Sequence, residues 1–362
     1  MSTDDLSQQS LFWFQQRILQ WYESRGRKDL PWQQQPTPYR VWLSEIMLQQ
    51  TQVATAIPYF ERFTEVFPDL PALAAAPLDD VLALWSGLGY YARARNLHKA
   101  ARQIFEEFQG VFPSEVDVLM QLPGIGRSTA GAVVSLALQQ SAPILDGNVK
   151  RVLTRFFALE GAAGSTALDK KLWALSAQLT PPQNCRSYNQ AMMDMGATLC
   201  TRAQPDCAAC PLQARCLAFA QQRVNDFPQP KVRKTLPVRS CQMLVIRNER
   251  NEIYLEKRPN QGVWGGLWCL PQLPFDVAAE TACFQWRQNS VVRVGEAAVF
   301  RHTFSHFHLD IQPVFLRISE APLVIAENNS GRWVTLAELN NLGLAAPVTK
   351  ILQALSTQET IE

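Results

Sequence analysis

The sequence predicts a two-domain protein of mixed class: a first part built almost wholly of α-helices, then a separate α+β domain. Three observations lead there. Apolar residues recur at helical spacing from about Ser10 to Arg223. The period shifts towards two beyond Ser240. Between these stretches Pro228, Pro230 and Pro237 alternate with Lys231, Arg233, Lys234 and Arg239, the composition of a semi-rigid basic linker. Domains are therefore expected over residues 1–225 and 240–362, joined by 226–239. Two or three domains is the ordinary number for 362 residues. A hydrophobic fraction of 47%, with ten Trp and eighteen Phe, is enough to bury cores and excludes wholesale disorder. A net charge of +2 neither requires nor excludes nucleic acid, because a local basic face hides easily in a neutral sum. No apolar run approaches the ~18 residues of a membrane span. The start of the chain, with Asp4 and Asp5, lacks the profile of a secretory signal. A soluble, cytoplasmic protein without a membrane partner is expected.

The helical part begins with Leu11, Phe14, Ile18 and Tyr22 on one stripe. Thr37-Pro38 reads as an N-cap followed by Pro at the first helical position, opening a helix expected to reach about Thr51. On it, Val41, Glu45 and Leu48 share a face. Burial there disfavours the Glu45 anion and makes its carboxyl a usable general acid; pairing with an arginine is the simpler alternative. Gln50 and Thr51, and Tyr90 between Gly89 and Arg93, have the chemistry to touch base edges, a base stack and phosphates. Each segment alone is more often a polar helix end or a loop. Ser114 and Asp117 resemble a cap ahead of Val118. Residues 122–130 follow, where Gly124 and Gly126 allow a sharp turn that exposes backbone N–H groups to an anion such as a DNA phosphate. An ordinary helix corner competes with that reading. Asp146-Gly147-Asn148 by itself reads as a turn.

Cys200, Cys207, Cys210 and Cys216 fall within seventeen positions and can converge on one metal centre. Their spacing leaves structural zinc and an iron–sulfur cluster both open. The scattered Cys185, Cys241, Cys269 and Cys283 read as small buried hydrophobes. Beyond the linker, strands are expected over 241–247, 252–258, 297–309 and 313–318, with helices over 277–288 and 347–355. His302, His306 and His308 would share one strand face, which reads as a solvated face rather than a metal site.

Together these segments resemble the helix–hairpin–helix DNA glycosylases, most closely the adenine-specific glycosylases of the MutY type, over nearly the whole chain. The likeness rests on the hairpin at 122–130 (within 114–139), on Asp146, on the cysteine spacing, and on Ser44-Glu45-Ile46-Met47-Leu48-Gln49-Gln50-Thr51-Gln52-Val53. It implies an all-α helix–hairpin–helix glycosylase domain with a [4Fe–4S] loop at 200–216, plus a C-terminal α+β NUDIX-like domain. It implies a monomer acting on double-stranded DNA that carries adenine opposite 8-oxoguanine or guanine. The adenine is flipped out of the stack before its bond is cut. Glu45 would protonate the leaving base and activate water, Asp146 would stabilise the sugar cation, and Asn148 would orient Asp146 or water, a division like that of two-carboxylate glycosidases. Trp32, Gln190 and Met193 would line the adenine pocket. Gln50 and Thr51 would contact the opposite strand, Tyr90 would wedge into the stack, and Gly124, Gly126 and Ser128 would meet DNA. Phe304, Ser305 and His306 would meet 8-oxoguanine. Ser128 stands where the endonuclease III branch carries a Schiff-base lysine, so hydrolysis to an abasic site is expected without strand cleavage. Between Gly265 and Trp286 only Asp276 and Glu280 are acidic, so the NUDIX-like domain is expected to recognise rather than hydrolyse.

Overall fold

A computed structural model describes residues 6–230, 235–281, 291–318 and 331–359. Lys231, Arg233, Lys234, Cys283 and most of the helix expected over 277–288 lie outside them. The chain forms two compact units: Met1–Ala75 with Asn96–Arg233, and Ala76–Arg95 with Lys234–Glu362. One break falls inside the expected linker. Residues 76–95 group with the C-terminal half, which no periodicity signals.

The first unit is helical. Its elements are α1 (Gln8–Arg25), α2 (Pro38–Leu48), α3 (Val53–Val66) and α4 (Leu70–Ala75); α5 (Leu78–Leu84) belongs to the second unit. Then come α6 (Ala92–Glu107), α7 (Val116–Leu119), α8 (Arg127–Ala132), α9 (Gly147–Phe156), α10 (Thr166–Leu179), α11 (Cys185–Thr198) and α12 (Leu217–Ala220). Of the expected stripe of α1, Phe14 and Ile18 are buried and Leu11 and Tyr22 half-buried, while Trp21, outside it, is buried too. Thr37 caps α2, its hydroxyl accepting from the Arg40 N–H at 3.2 Å. This helix stops at Leu48, short of the expected Thr51, because Gln50 turns into the left-handed region at φ 57°. Trp42, Phe60 and Phe63 are fully buried around α2 and α3; burial of such a ring contributes about 1.5–3 kcal/mol.

The expected cap at Ser114 and Asp117 is not formed. Glu115 is the N-cap of α7 without a side-chain bond, and the Ser114 hydroxyl donates to Glu115 instead, at 2.8 Å. The hairpin turn is made by Gly124 at φ 78°, where an added Cβ would sit 2.9 Å from that of Asn96. The following helix loosens into a π-turn over Val133–Ala137. Gly196 lets α11 approach α9: a Cβ there would lie 2.5 Å from the Asn148 Cβ. No described helix is long and apolar enough to cross a membrane.

The second unit holds a mixed sheet of β1 (Val238–Arg247), β2 (Ile253–Lys257), β3 (Trp268–Cys269), β4 (Gln272–Leu273), β5 (Val291–Glu296), β6 (Phe300–Thr303), β7 (His308–Ile318) and β8 (Gly331–Val334). Its main path runs β3-β2-β1-β7-β5, with β1 and β7 parallel along their length. Leu244, Ile246, Val314, Leu316 and Ile318 form the core with Tyr254 and Ala279. Helix α13 (Ala346–Glu359) buries Val348, Ile351 and Leu352.

The strand expected over 297–309 is two strands. β6 ends at Thr303, a turn closes with the Phe304 N–H donating to the Phe307 carbonyl at 2.9 Å, and β7 starts at His308. Pro313 lies inside β7, opposite Met243, rather than at a strand start. The inward positions change phase across it, from Phe300, His302 and Phe304 to Phe307, Leu309 and Ile311, so one continuous strand does not fit the pattern. His306 accordingly sits in the turn, off the strand face that His302 and His308 were expected to share with it. Strand β5 carries no readable alternation, because Val292 and Val294 both face solvent.

Candidate active site

A cavity of about 890 Å³ opens in the first unit. Three local causes build its catalytic wall. Helix α2 delivers Glu45 from a face packed with Val41, Trp42, Ile46 and Met47. Asp146 is the N-cap of α9 rather than a simple turn residue: its Oδ1 accepts from the Val149 N–H at 2.8 Å. Asn148, one residue into that helix, donates from Nδ2 to Asp146 Oδ2 at 2.9 Å.

The two carboxyls live in different fields. Burial, and then the charge of Asp146, push the Glu45 carboxyl up to about 8, so it holds its proton at neutral pH. Burial also raises Asp146, but the Val149 and Asn148 donors and the Arg151 guanidinium pull it back. Asp146 therefore has donors and a cation that favour its anion, where Glu45 meets burial and a like charge.

Trp32, Gln50, Thr51, Ser128, Gln190 and Met193 line the same cavity. The Trp32 ring stands edge-on to Phe60 at 5.4 Å between centroids. The Ser128 oxygen accepts from the Leu145 N–H at 3.0 Å, so the hydroxyl braces the approach to Asp146. Of the other expected site residues, Gly124, Gly126, Tyr90, the four cysteines and Phe304, Ser305 and His306 do not line it.

Three contributors are not signalled by any motif in the sequence. Asp194 is fully buried and clamped by Arg27, whose Nε and Nη2 donate to Oδ1 at 2.9 and 2.7 Å and whose backbone N–H donates to Oδ2 at 2.8 Å. Gln190 Nε2 donates to the same Oδ1 at 2.9 Å. A carboxylate only accepts, so the clamp fixes which end of the Gln190 amide is which. The spacing of four between Gln190 and Asp194 is a readable signal; Arg27, 167 residues away, offers none. Arg151 donates from Nη2 to Asn148 Oδ1 at 2.9 Å and from Nε to the Cys200 carbonyl at 2.6 Å, joining the carboxylate cap to the cysteine loop. Gln33, beside Trp32, lines the cavity with an amide that has no hydrogen-bond partner among the described residues.

The four cysteines gather where α11 ends. Burial first, and then Cys200, Cys216 and Cys207, push the Cys210 thiol up to about 11, so the thiols share one field. Arg155, itself buried, donates from Nη1 to Cys200 Sγ at 3.4 Å. Among the described residues no three His, Cys, Asp or Glu side chains come close enough to hold a single metal ion. A set of four cysteines with an N–H on one sulfur suits either a structural zinc or an iron–sulfur cluster.

In the second unit Tyr90 is half exposed at φ 51°. Phe304 stacks on Phe307 at 4.5 Å, with His302, His306 and Trp264 around it.

Residues 43–178 match the family described as HhH-GPD superfamily base excision DNA repair protein, and residues 242–354 match the NUDIX domain. Fold and site thus define a base excision repair glycosylase with an appended NUDIX domain. A thermostable thymine-DNA glycosylase superposes with a TM-score of 0.54 at 25% identity, covering 60% of this chain and all of that one. An endonuclease III in a non-covalent DNA complex superposes at 0.51 and 22% identity, covering 60% of this chain and 99% of that one, which speaks to the fold. The adenine DNA glycosylase of Buchnera aphidicola subsp. Acyrthosiphon pisum is 42% identical, over 94% of this chain and 97% of its own length. That of Mus musculus is 34% identical, over 94% of this chain and 77% of its own. That of Homo sapiens is 32% identical, over 96% and 74%. The chain belongs to the adenine DNA glycosylases.

Proposed function

We propose that this enzyme removes adenine paired with 8-oxoguanine or guanine in duplex DNA and leaves an abasic site. The observation that carries the reading is one cavity holding two carboxyls in different surroundings: Glu45, which burial pushes up to about 8, and Asp146, which accepts from the Val149 and Asn148 N–H groups. Glycoside cleavage needs that division.

An everted adenine enters beside Trp32, Gln190 and Met193. Glu45 gives its proton to a ring nitrogen as the bond from C1′ to the base breaks, and the bonding pair leaves with the base. Asp146, steadied by Asn148, faces the sugar cation. Water adds its oxygen to C1′ and returns a proton to Glu45, restoring the acid. Ser128 has no amine and already serves Leu145, so no Schiff base forms and the strand stays intact. The turn at Gly124 and Gly126 takes a phosphate, Gln50 and Thr51 meet the opposite strand, and Tyr90 enters the stack. Phe304, Ser305 and His306 read the 8-oxoguanine.

Cys200, Cys207, Cys210 and Cys216 would hold a [4Fe–4S] cluster. When bound, it supplies iron–thiolate bonds that fasten residues 200–216. Arg151 links that loop to Asn148.

Base release from an A:8-oxoguanine duplex and from a thymine-glycol duplex, each with and without alkali, tests the reading. Adenine release with strand breaks only after alkali is expected. Thymine-glycol release with breaks before alkali would overturn it.

A further inference from the structure

Residues Ala76–Arg95 cluster with the C-terminal domain, although they precede it by some 140 positions. Specific bonds hold them there. Lys257 Nζ donates to both carboxylate oxygens of Asp79 at 2.7 Å. Arg95 Nη1 donates to the Gly265 carbonyl at 2.6 Å. The Tyr91 hydroxyl donates to the Leu344 carbonyl at 3.3 Å and accepts from the Gly87 N–H at 3.2 Å. Gly343 packs so tightly on α5 that a Cβ would lie 3.1 Å from the Leu82 Cβ.

The tip of this segment is stiff. Gly87, Gly89 and Tyr90 all have positive φ, at 92°, 75° and 51°. A tyrosine rarely accepts that backbone and keeps it only where its surroundings over-determine it. Buried Arg93 donates from Nη2 to the Leu88 and Gly89 carbonyls at 3.2 and 3.1 Å. Its guanidinium lies 5.4 Å from the Trp85 ring and 5.6 Å from the Tyr90 ring. Trp85 Nε1 adds a bond to the Gly89 carbonyl at 3.2 Å. The result is an exposed aromatic ring on a braced stalk.

We propose that the C-terminal domain is the mount of the wedge: through Asp79–Lys257, Arg95–Gly265 and Tyr91–Leu344 it sets Tyr90 in the pose that enters the base stack. This rests on the glycosylase reading above, in which Tyr90 is the wedge. Asp79, Arg95 and Lys257 are positioning residues. They order the ring before DNA arrives, so binding does not have to supply that entropy. The domain then affects adenine release from both mispairs, not only the choice between 8-oxoguanine and guanine.

The test uses the full chain and duplexes carrying 2-aminopurine beside the mispair, whose fluorescence rises when the stack is opened. The unaltered enzyme is compared with Tyr90→Ala, Arg95→Met, Lys257→Asp, and Lys257→Asp combined with Asp79→Lys. Arg95→Met is expected to slow single-turnover adenine release about 10-fold on both A:8-oxoguanine and A:G, as a loss of orientation does. Its fluorescence rise should shrink towards that of Tyr90→Ala. Lys257→Asp should fall the same way, and the double exchange should restore both signals. Asp79 and Lys257 are partly exposed, so the exchange decides the matter even if Arg95→Met does not fold. Unchanged fluorescence and rate in Arg95→Met and Lys257→Asp, with Tyr90→Ala impaired, would overturn the mount. An unimpaired Tyr90→Ala would overturn it as well. No adenine release by the unaltered chain would instead sink the glycosylase reading, while the fluorescence comparison would still decide the mount.

Discussion

The cavity beside α2 and α9 and the aromatic side chains of the second unit use their residues in opposite ways. In the cavity, burial changes the charge state of an acid: Glu45 is pushed up to about 8 by loss of water. On the surface, Tyr90, Phe304 and His306 contribute ring shape, and backbone and ring packing fix their poses. A region that tunes protons should govern the pH dependence of base release. A region that offers shape should govern how DNA is bound and which mispair is preferred.

The largest separation should come from Glu45→Gln. Loss of the general acid is expected to slow adenine release by about 10³-fold, with duplex affinity retained in a binding titration. Residual turnover near that of the unaltered enzyme would show the acid is misassigned. The unaltered enzyme should lose activity as pH rises through about 8, where Glu45 gives up its proton. The same variant carries a stability signature. A carboxyl raised in the folded state holds its proton while the unfolded chain has released it. Stability is therefore lost as pH climbs from the ordinary glutamate range to about 8. Glu45→Gln removes that loss, so its unfolding midpoint should exceed that of the unaltered enzyme by ~2–6 °C at pH 8 and match it near pH 4.5.

A smaller effect is expected from Asp194→Asn. It loosens the Gln190 amide, and the preference for adenine over a purine without the 6-amino group should drop by roughly 10-fold. An unchanged preference would mean the clamp does not set the Gln190 orientation. The smallest effect belongs to the surface. His306→Ala should lower the ratio of 8-oxoguanine to guanine mispair affinity by about 3-fold and leave the pH profile alone. A shifted pH limb in this variant would erase the distinction between the two regions.

Much of this arrangement is legible in the residue order. The cap at Thr37-Pro38, the apolar face carrying Glu45 and the apolar run of β1 are local patterns, and local patterns are written in adjacent residues. The end of α2 is not legible, because a left-handed Gln50 leaves no mark in composition. Strands β3, β4 and β8, each only two to four residues long, are too short to show a period. Asp146 reads as a turn residue because Asp-Gly-Asn serves equally as a turn and as the start of a helix.

The residue order alone determined that Glu45 sits on an apolar helix face and that four thiols cluster, and the family resemblance marked Ser128 as standing where a lyase carries lysine. Only the folded chain decided that Glu45 and Asp146 share one cavity, that Arg27 and Asp194 orient Gln190, and that residues 76–95 belong with the C-terminal domain. The reason is physical. Identity and spacing along a chain set propensities, but desolvation and hydrogen-bond partnership depend on which distant segments exclude water together.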